Sequence, residues 1–264
     1  MSTATRIERR KPTTEERQAA SRLAQEIKMV TYPDRQKTKV RSQLPPGRVN
    51  LRQHMVKRQQ RAMHQAVTAK PYNAVKRART EHTEIKVGIA ADISGSMQHA
   101  MLPLAVTRWV LADAVHQANG KVASVLFGTN AHAIQAPHER VSTVDTYAAN
   151  GRYESFDEAF PLLDSVLNLI DGDGARLMVI ITDQHFVKGG VPEYTERVMD
   201  MCRAAGVAVL WLVPGDYAAR ADGYGHGEVI DMQGMSAIQI ANTVGKAVVK
   251  AFREQASQHR LMMV

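Results

Sequence analysis

Hydrophobic positions change their period several times along this chain, and the changes mark out its elements. Ala19, Ala20, Leu23, Ala24 and Ile27 recur at helical spacing behind Thr13 and Glu16. In that pair a hydroxyl and a carboxylate can satisfy the free amides of a helix start, so a helix is predicted from about Thr14 to Met29. Tyr32-Pro33 ends it, because a residue before proline is pushed out of the helical region. Asn50 is placed to cap a second, polar helix over about Leu51 to Ala66, and Lys70-Pro71 breaks that one. From Glu84 the pattern becomes strand, helix, strand in alternation. Ile85 to Ala91 is a short apolar run rich in small and β-branched residues, as a strand covered on both faces requires. A helix over Gln98 to Gln117 follows, stopped by Asn119-Gly120. Lys121 to Phe127 and Ala131 to Gln135 read as an antiparallel hairpin about Gly128-Thr129-Asn130.

Ala136 to Tyr153 lacks periodicity and reads as a long loop. Phe156, Phe160, Leu163, Leu167 and Ile170 then line one helical face behind Ser155 and Glu158, a second pair at capping-box spacing, with Pro161 placed to kink the helix. Arg176 to Thr182 is the central buried strand, Tyr194 to Ala205 a helix, Val207 to Val213 the last strand, Pro214 to Gly234 a glycine-rich loop, and Ser236 to about Ala256 a terminal helix. Strands alternating with helices over about 30 residues demand right-handed crossovers. The fold class is therefore α/β, a doubly wound, mainly parallel sheet with helices on both faces. Residues 1–83 read as a basic, mostly helical N-terminal extension, 84–256 as the α/β domain and 257–264 as a tail.

Charge sharpens that division. The net +8 conceals 20 Lys and Arg against 7 Asp and Glu in residues 1–84, and 14 against 19 in residues 85–264. A basic arm of this kind suits nucleic acid or an acidic partner surface, although its only aromatics, Tyr32 and Tyr72, give little for bases to stack on. No apolar run reaches the roughly 18 residues that span a bilayer, and Met1-Ser2-Thr3-Ala4-Thr5-Arg6 lacks a secretory signal's apolar stretch, so no membrane association is expected. One cysteine, Cys202, offers neither a disulfide nor a zinc cluster and reads as a small core residue; a reducing, cytoplasmic compartment fits.

In open parallel sheets ligands bind beyond the carboxyl ends of the strands, and that rule selects the candidate site. Asp92-Ile93-Ser94-Gly95-Ser96 lies where the first core strand stops, with three oxygen-bearing side chains at alternate positions. Asp183 ends the central strand at the same rim. Close carboxylates repel, and a hard cation with oxygen ligands relieves them. Mg2+ suits this set, with Mn2+ or Ca2+ as substitutes, because it accepts carboxylate and hydroxyl oxygens and keeps several waters. Asp171-Gly172-Asp173-Gly174 lacks the downstream glutamate of a calcium loop and reads as a turn. Asp222 and His226 fall in the loop after the last strand, at the ion-bearing rim.

The order of elements, with Gly88-Ile89-Ala90-Ala91-Asp92-Ile93-Ser94-Gly95-Ser96-Met97 after one strand and Val179-Ile180-Ile181-Thr182-Asp183 ending another, resembles the von Willebrand factor A (VWA) family over about residues 84–255. The resemblance implies a Rossmann-like VWA fold and a metal-ion-dependent adhesion site. In such a site Ser94 and Ser96 bind the cation directly, while Asp92 and Asp183 act directly or through water. The family's further threonine ligand is replaced: Glu154 stands at its position, Ser155 one residue on. Glu154 either coordinates the ion or merely favours the helix dipole. The basic helices before the domain are similar to the intracellular branch containing the cobaltochelatase VWA subunit, which implies a MoxR-type AAA+ ATPase as partner. The expected function is a metal-dependent adaptor that engages a partner's Asp or Glu, with no catalytic residues. Nucleic-acid binding through residues 1–84, as in Ro-type ribonucleoproteins that carry this domain, is the alternative. A metal-dependent hydrolase would have only His185 as a candidate base.

Overall fold

The computed structural model describes residues 4–31, 37–45, 47–77, 84–149, 152–186, 189–215 and 222–262. The chain divides into two compact units, one formed by Met1–Thr31 with Thr83–Val264 and the other by Tyr32–His82.

The larger unit is built on β5 (Ile85–Asp92), β6 (Lys121–Phe127), β7 (Ala131–Gln135), β9 (Ala175–Ile181), β10 (Ala208–Val213) and β11 (Glu228–Asp231), in the order β11-β10-β9-β5-β6-β7. Every neighbouring pair is parallel except the β6/β7 hairpin. All eight residues of β5 are buried, as the uninterrupted apolar run requires. Strand side chains alternate between faces. Val87, Ile89, Val179 and Ile181 therefore join one core layer with α1 (Thr14–Thr31), α3 (Met101–Gln117) and α6 (Ala237–Met262). Ala90, Met178 and Ile180 join the other with α4 (Phe156–Leu167) and α5 (Val191–Ala205), where Cys202 is buried. This is the doubly wound α/β architecture. No described helix is long and apolar enough to cross a membrane.

The expectation of one helical extension through residue 83 is corrected on two counts. First, α1 belongs to the larger unit, because its apolar stripe Ala19, Ala20, Leu23, Ala24 and Ile27 is buried there. Gly245 in α6 permits that approach, since a Cβ at this position would lie 3.2 Å from Leu23 Cδ1. The capping box forms as read: Glu16 N–H donates to Thr13 Oγ1 at 3.2 Å and Thr13 N–H to Glu16 Oε2 at 2.8 Å. Second, the smaller unit holds a three-stranded antiparallel sheet, β2 (Lys37–Ser42), β4 (Tyr72–Arg77) and β3 (Arg48–Val49), beside α2 (Leu51–Ala62). Asn50 caps α2 through Gln53 N–H at 3.2 Å.

Other strands also left no apolar alternation to read. The pattern gives no element before Thr14 and a loop over 136–153, yet β1 (Arg6–Arg10) pairs antiparallel with β8 (Val144–Tyr147). The pairing is bound by charge: Asp145 accepts from Arg9 at 3.1 Å through both oxygens and lies 3.0 Å from Arg6. Likewise β11 occupies part of the expected 214–234 loop, with Ile230 in the core. The helix expected from Gln98 begins as a 3-10 turn over Gly95–Ala100. The second capping box does not form. Ser155 Oγ donates instead to the Thr129 carbonyl at 2.9 Å, and Glu158 Oε2 accepts from Ala131 N–H at 3.1 Å.

Candidate metal centre

The parallel register places Ala91 opposite Ile181, so the next residues of β5 and β9, Asp92 and Thr182, leave the sheet side by side. Asp92 is fully buried, and both its oxygens are engaged: Oδ1 accepts from Ser94 N–H at 2.7 Å and Oδ2 from Thr182 Oγ1–H at 2.8 Å. Burial pushes its carboxyl pKa up to about 7; the Ser94 and Thr182 hydrogen bonds oppose that rise and the Asp183 charge adds to it. The Asp183 influence is the electrostatic mark of two carboxylates at one rim.

Ser94 Oγ and Ser96 Oγ lie 3.0 Å apart. Ser94 is buried, whereas Gly95 and Ser96 are exposed, so the cluster opens to solvent on the Ser96 side. Asp183 is 4% exposed; its Oδ1 accepts from His185 N–H at 3.0 Å, and its buried Oδ2 has no hydrogen-bond partner among the described residues. A buried carboxylate oxygen without a donor is costly, and a cation would relieve it. The donor set, two carboxylates and two hydroxyls that hydrogen-bond each other at 3.0 Å, offers the hard oxygens that Mg2+ would take.

Four of the residues selected from sequence, Asp92, Ser94, Ser96 and Asp183, thus converge at the ends of β5 and β9. Glu154 is buried before α4, and its charge acts on the Tyr224 phenol. Among the described residues no three His, Cys, Asp or Glu side chains gather closely enough to hold a metal, so Glu154 does not complete a three-carboxylate cluster with Asp92 and Asp183. Ser155 commits its hydroxyl proton to Thr129. The His185 side chain is exposed. His226 Nε2 lies 3.0 Å from the Val207 carbonyl and Trp211 Nε1–H donates to the His226 carbonyl at 2.9 Å, so His226 holds its loop in place.

Sequence reasoning passed over Gln184. It adopts φ +60°, a left-handed conformation that costs a non-glycine residue energy. The surroundings hold it there. Its N–H donates to Thr182 Oγ1 at 3.1 Å, its Oε1 accepts from Asp222 N–H at 3.3 Å, and its carbonyl accepts from Tyr224 Oη–H at 3.3 Å. Phe156, Phe186, Tyr224 and Trp211 form a chain of ring contacts beneath, with centroids 5.5–6.0 Å apart. Burial, then Asp222, Glu196, Glu154 and Glu193 in turn, raises the Tyr224 pKa to about 12, so its hydroxyl stays a donor. The segment carrying Asp183 is thereby tied to the 222–227 loop. A polar residue directly after the strand-ending aspartate was the available signal, but nothing in its spacing shows a left-handed backbone.

No protein-family model matches the chain, and no curated protein matches it. Among solved structures it is similar to the SpRpn10 VWA domain, with 11% identity and a TM-score of 0.45 over 63% of this chain and 96% of that one. It is also similar to the pilus adhesin SpaC from Lactobacillus rhamnosus GG in its open conformation, with 11% identity and a TM-score of 0.46 over 66% of this chain. The match spans 31% of the adhesin's length.

Proposed function

We propose that this chain is a metal-ion-dependent, VWA-type protein-binding adaptor. Ser94 and Ser96 would hold a divalent cation, Mg2+ with Mn2+ or Ca2+ as substitutes, and Asp92 and Asp183 would hold it directly or through water. The observation that carries this reading is the pairing of two hydroxyls 3.0 Å apart with an unpartnered, buried Asp183 Oδ2 at the same strand ends. When bound, the cation supplies a fixed positive charge with coordination positions open to an outside oxygen.

The chain's own residues do the rest. Thr182 and the Ser94 amide fix both Asp92 oxygens, so this carboxylate is oriented before any ligand arrives. The Gln184 contacts hold the backbone after Asp183. Exposure at Ser96 leaves one side open to a partner's Asp or Glu. Such a contact provides orientation and switching more than buried area. The resemblance of the basic segment before β5 to the cobaltochelatase branch makes a MoxR-type AAA+ ATPase the proposed partner. We read binding in preference to hydrolysis because His185, the one base suggested by sequence, meets Asp183 through its backbone amide and makes no side-chain hydrogen bond to the cluster among the described residues.

Isothermal titration of the full chain with MgCl2 and MnCl2 tests the site. Wild type is expected to bind one ion, and S94A/S96A and D183A to lose at least tenfold in affinity. Equal binding by wild type and S94A/S96A would falsify the assignment. Partner capture from an ATPase-containing mixture with and without EDTA then tests the adaptor role, with retention expected only when the ion is present.

A further inference from the structure

The smaller unit has a charge pattern unlike that of the rest of the chain. Residues 35–80 contain 13 Lys and Arg and not one Asp or Glu. The excess is spread over all of the unit's elements. Arg41, Arg48, Arg52, Arg58, Arg61 and Lys70 are exposed, and among the described residues none of the six forms an ion pair.

The helix α2 organises these charges. Gln53, His54, Lys57 and Gln60 are its partly buried positions, at spacings of one, three and three, and they mark its inner side. Lys57 Nζ donates to the Gln43 carbonyl at 3.0 Å and sits 5.8 Å over the Tyr72 ring, and Gln60 hydrogen-bonds Thr68 and Ala69. The opposite side presents Leu51, Arg52, Met55, Arg58, Gln59 and Ala62, all exposed, and no residue of α2 is buried. A 12-residue helix open along its outer side for about 18 Å is an unpartnered face.

We propose that this face binds duplex DNA, with α2 in the major groove and Arg41, Arg48, Arg61 and Lys70 available to backbone phosphates. Five points select this occupant. The groove, about 12 Å wide, admits one α-helix. Residues 35–80, with positive charge and no carboxylate, match a polyanion that carries charge along its whole length, whereas a protein interface has a core depleted of charge. Arginine predominates in it, and its planar fork pairs with phosphate oxygens and with guanine O6 and N7. Arg52 and Arg58 also interrupt Leu51 and Met55, so the helix lacks the broad apolar face that inserts into a lipid surface. The half-buried Tyr72 ring is covered by Lys57 and offers no platform for unstacked bases, which disfavours single strands.

Fluorescence anisotropy of the full chain with a fluorescein-labelled 24-base-pair duplex, from 50 to 200 mM NaCl, tests the proposal. Binding is expected, with log affinity falling linearly against log salt at a slope of about −3 to −6, as for four to six phosphate contacts. R52Q/R58Q/R61Q should weaken binding at least tenfold at 50 mM NaCl with an unchanged unfolding transition. R22Q/R140Q/K246Q, which removes the same number of exposed charges from the other unit, should stay within about threefold of wild type. D92A should bind the duplex like wild type, so failure of the metal site and failure of the DNA surface are distinguishable. The proposal is overturned by no duplex binding at 50 mM NaCl, by equal losses in the two triple variants, or by tighter binding of polyglutamate or an A-form RNA duplex than of DNA.

Discussion

The Thr182 hydroxyl donates to Asp92 Oδ2 across 2.8 Å, joining the carboxyl ends of two neighbouring parallel strands 90 positions apart in sequence. Thr182 Oγ1 also accepts from the Gln184 amide at 3.1 Å, so one side chain orients the first carboxylate and the turn that carries the second.

Thr182→Val keeps the shape of that side chain and removes its polar links. It leaves a buried carboxylate oxygen and a backbone amide unpaired, each costing about 1–3 kcal/mol. Mg2+ affinity is expected to fall about tenfold and Thr182→Ser to restore it, as read by titration calorimetry. Equal affinity in Thr182→Val and wild type would show that the Thr182 hydroxyl is not needed to orient Asp92.

Burial raises the Asp92 pKa to about 7, so the folded chain holds this proton more tightly than the unfolded one. In metal-free protein the site therefore costs stability progressively as pH rises from about 4 toward 7, with the full cost above that. Asp92→Asn should stabilise the metal-free chain at pH 8 by roughly 1–3 kcal/mol and show little difference near pH 4. Saturating Mg2+ should reverse the order, because only wild type gains from the ion. Denaturant unfolding at both pH values, with Mg2+ and with EDTA, measures all four arms.

Asp145 behaves in the opposite way. Burial alone would raise its pKa, but hydrogen bonds from Arg9 and Thr143 and the charges of Arg6 and Arg9 outweigh burial and hold it below the usual carboxylate range. The Arg10 fork, at 2.6 and 2.9 Å, does the same for Glu16. A depressed carboxylate stabilises the fold above the ordinary pKa, and that contribution is lost as pH falls through the folded value. Asp145→Asn should lower the melting temperature at pH 7, with the gap closing as pH falls below the ordinary Asp range. A gap that widened on acidification would contradict this role.

Leu23 tests whether α1 belongs to the α/β core. It is 5% exposed and packs near Gly245. Leu23→Ala should cost about 2–4 kcal/mol in urea unfolding, the range for truncating a buried leucine. A loss under about 0.5 kcal/mol, as for an ordinary surface substitution, would remove α1 from the core.

Much of the α/β core was written in local pattern. Apolar runs such as Ile85 to Ala91, helical stripes such as Phe156 to Leu167, and a strand-end aspartate followed by Ser-Gly-Ser are properties of near neighbours in the chain. Once alternation demands a parallel sheet, Asp92 and Asp183 must reach one rim, and their convergence was legible before any coordinate. What only tertiary structure decided lacks such a signature. The strand Arg6–Arg10 is polar but for an exposed Ile7, and Asp145 gathers two of its arginines. Gln184 adopts its left-handed turn through partners at Thr182, Asp222 and Tyr224 that spacing does not connect. Apolar periodicity reports a burial that each residue shares with its neighbours, while these contacts join single groups from distant segments, and only the folded chain brings such groups within hydrogen-bonding range.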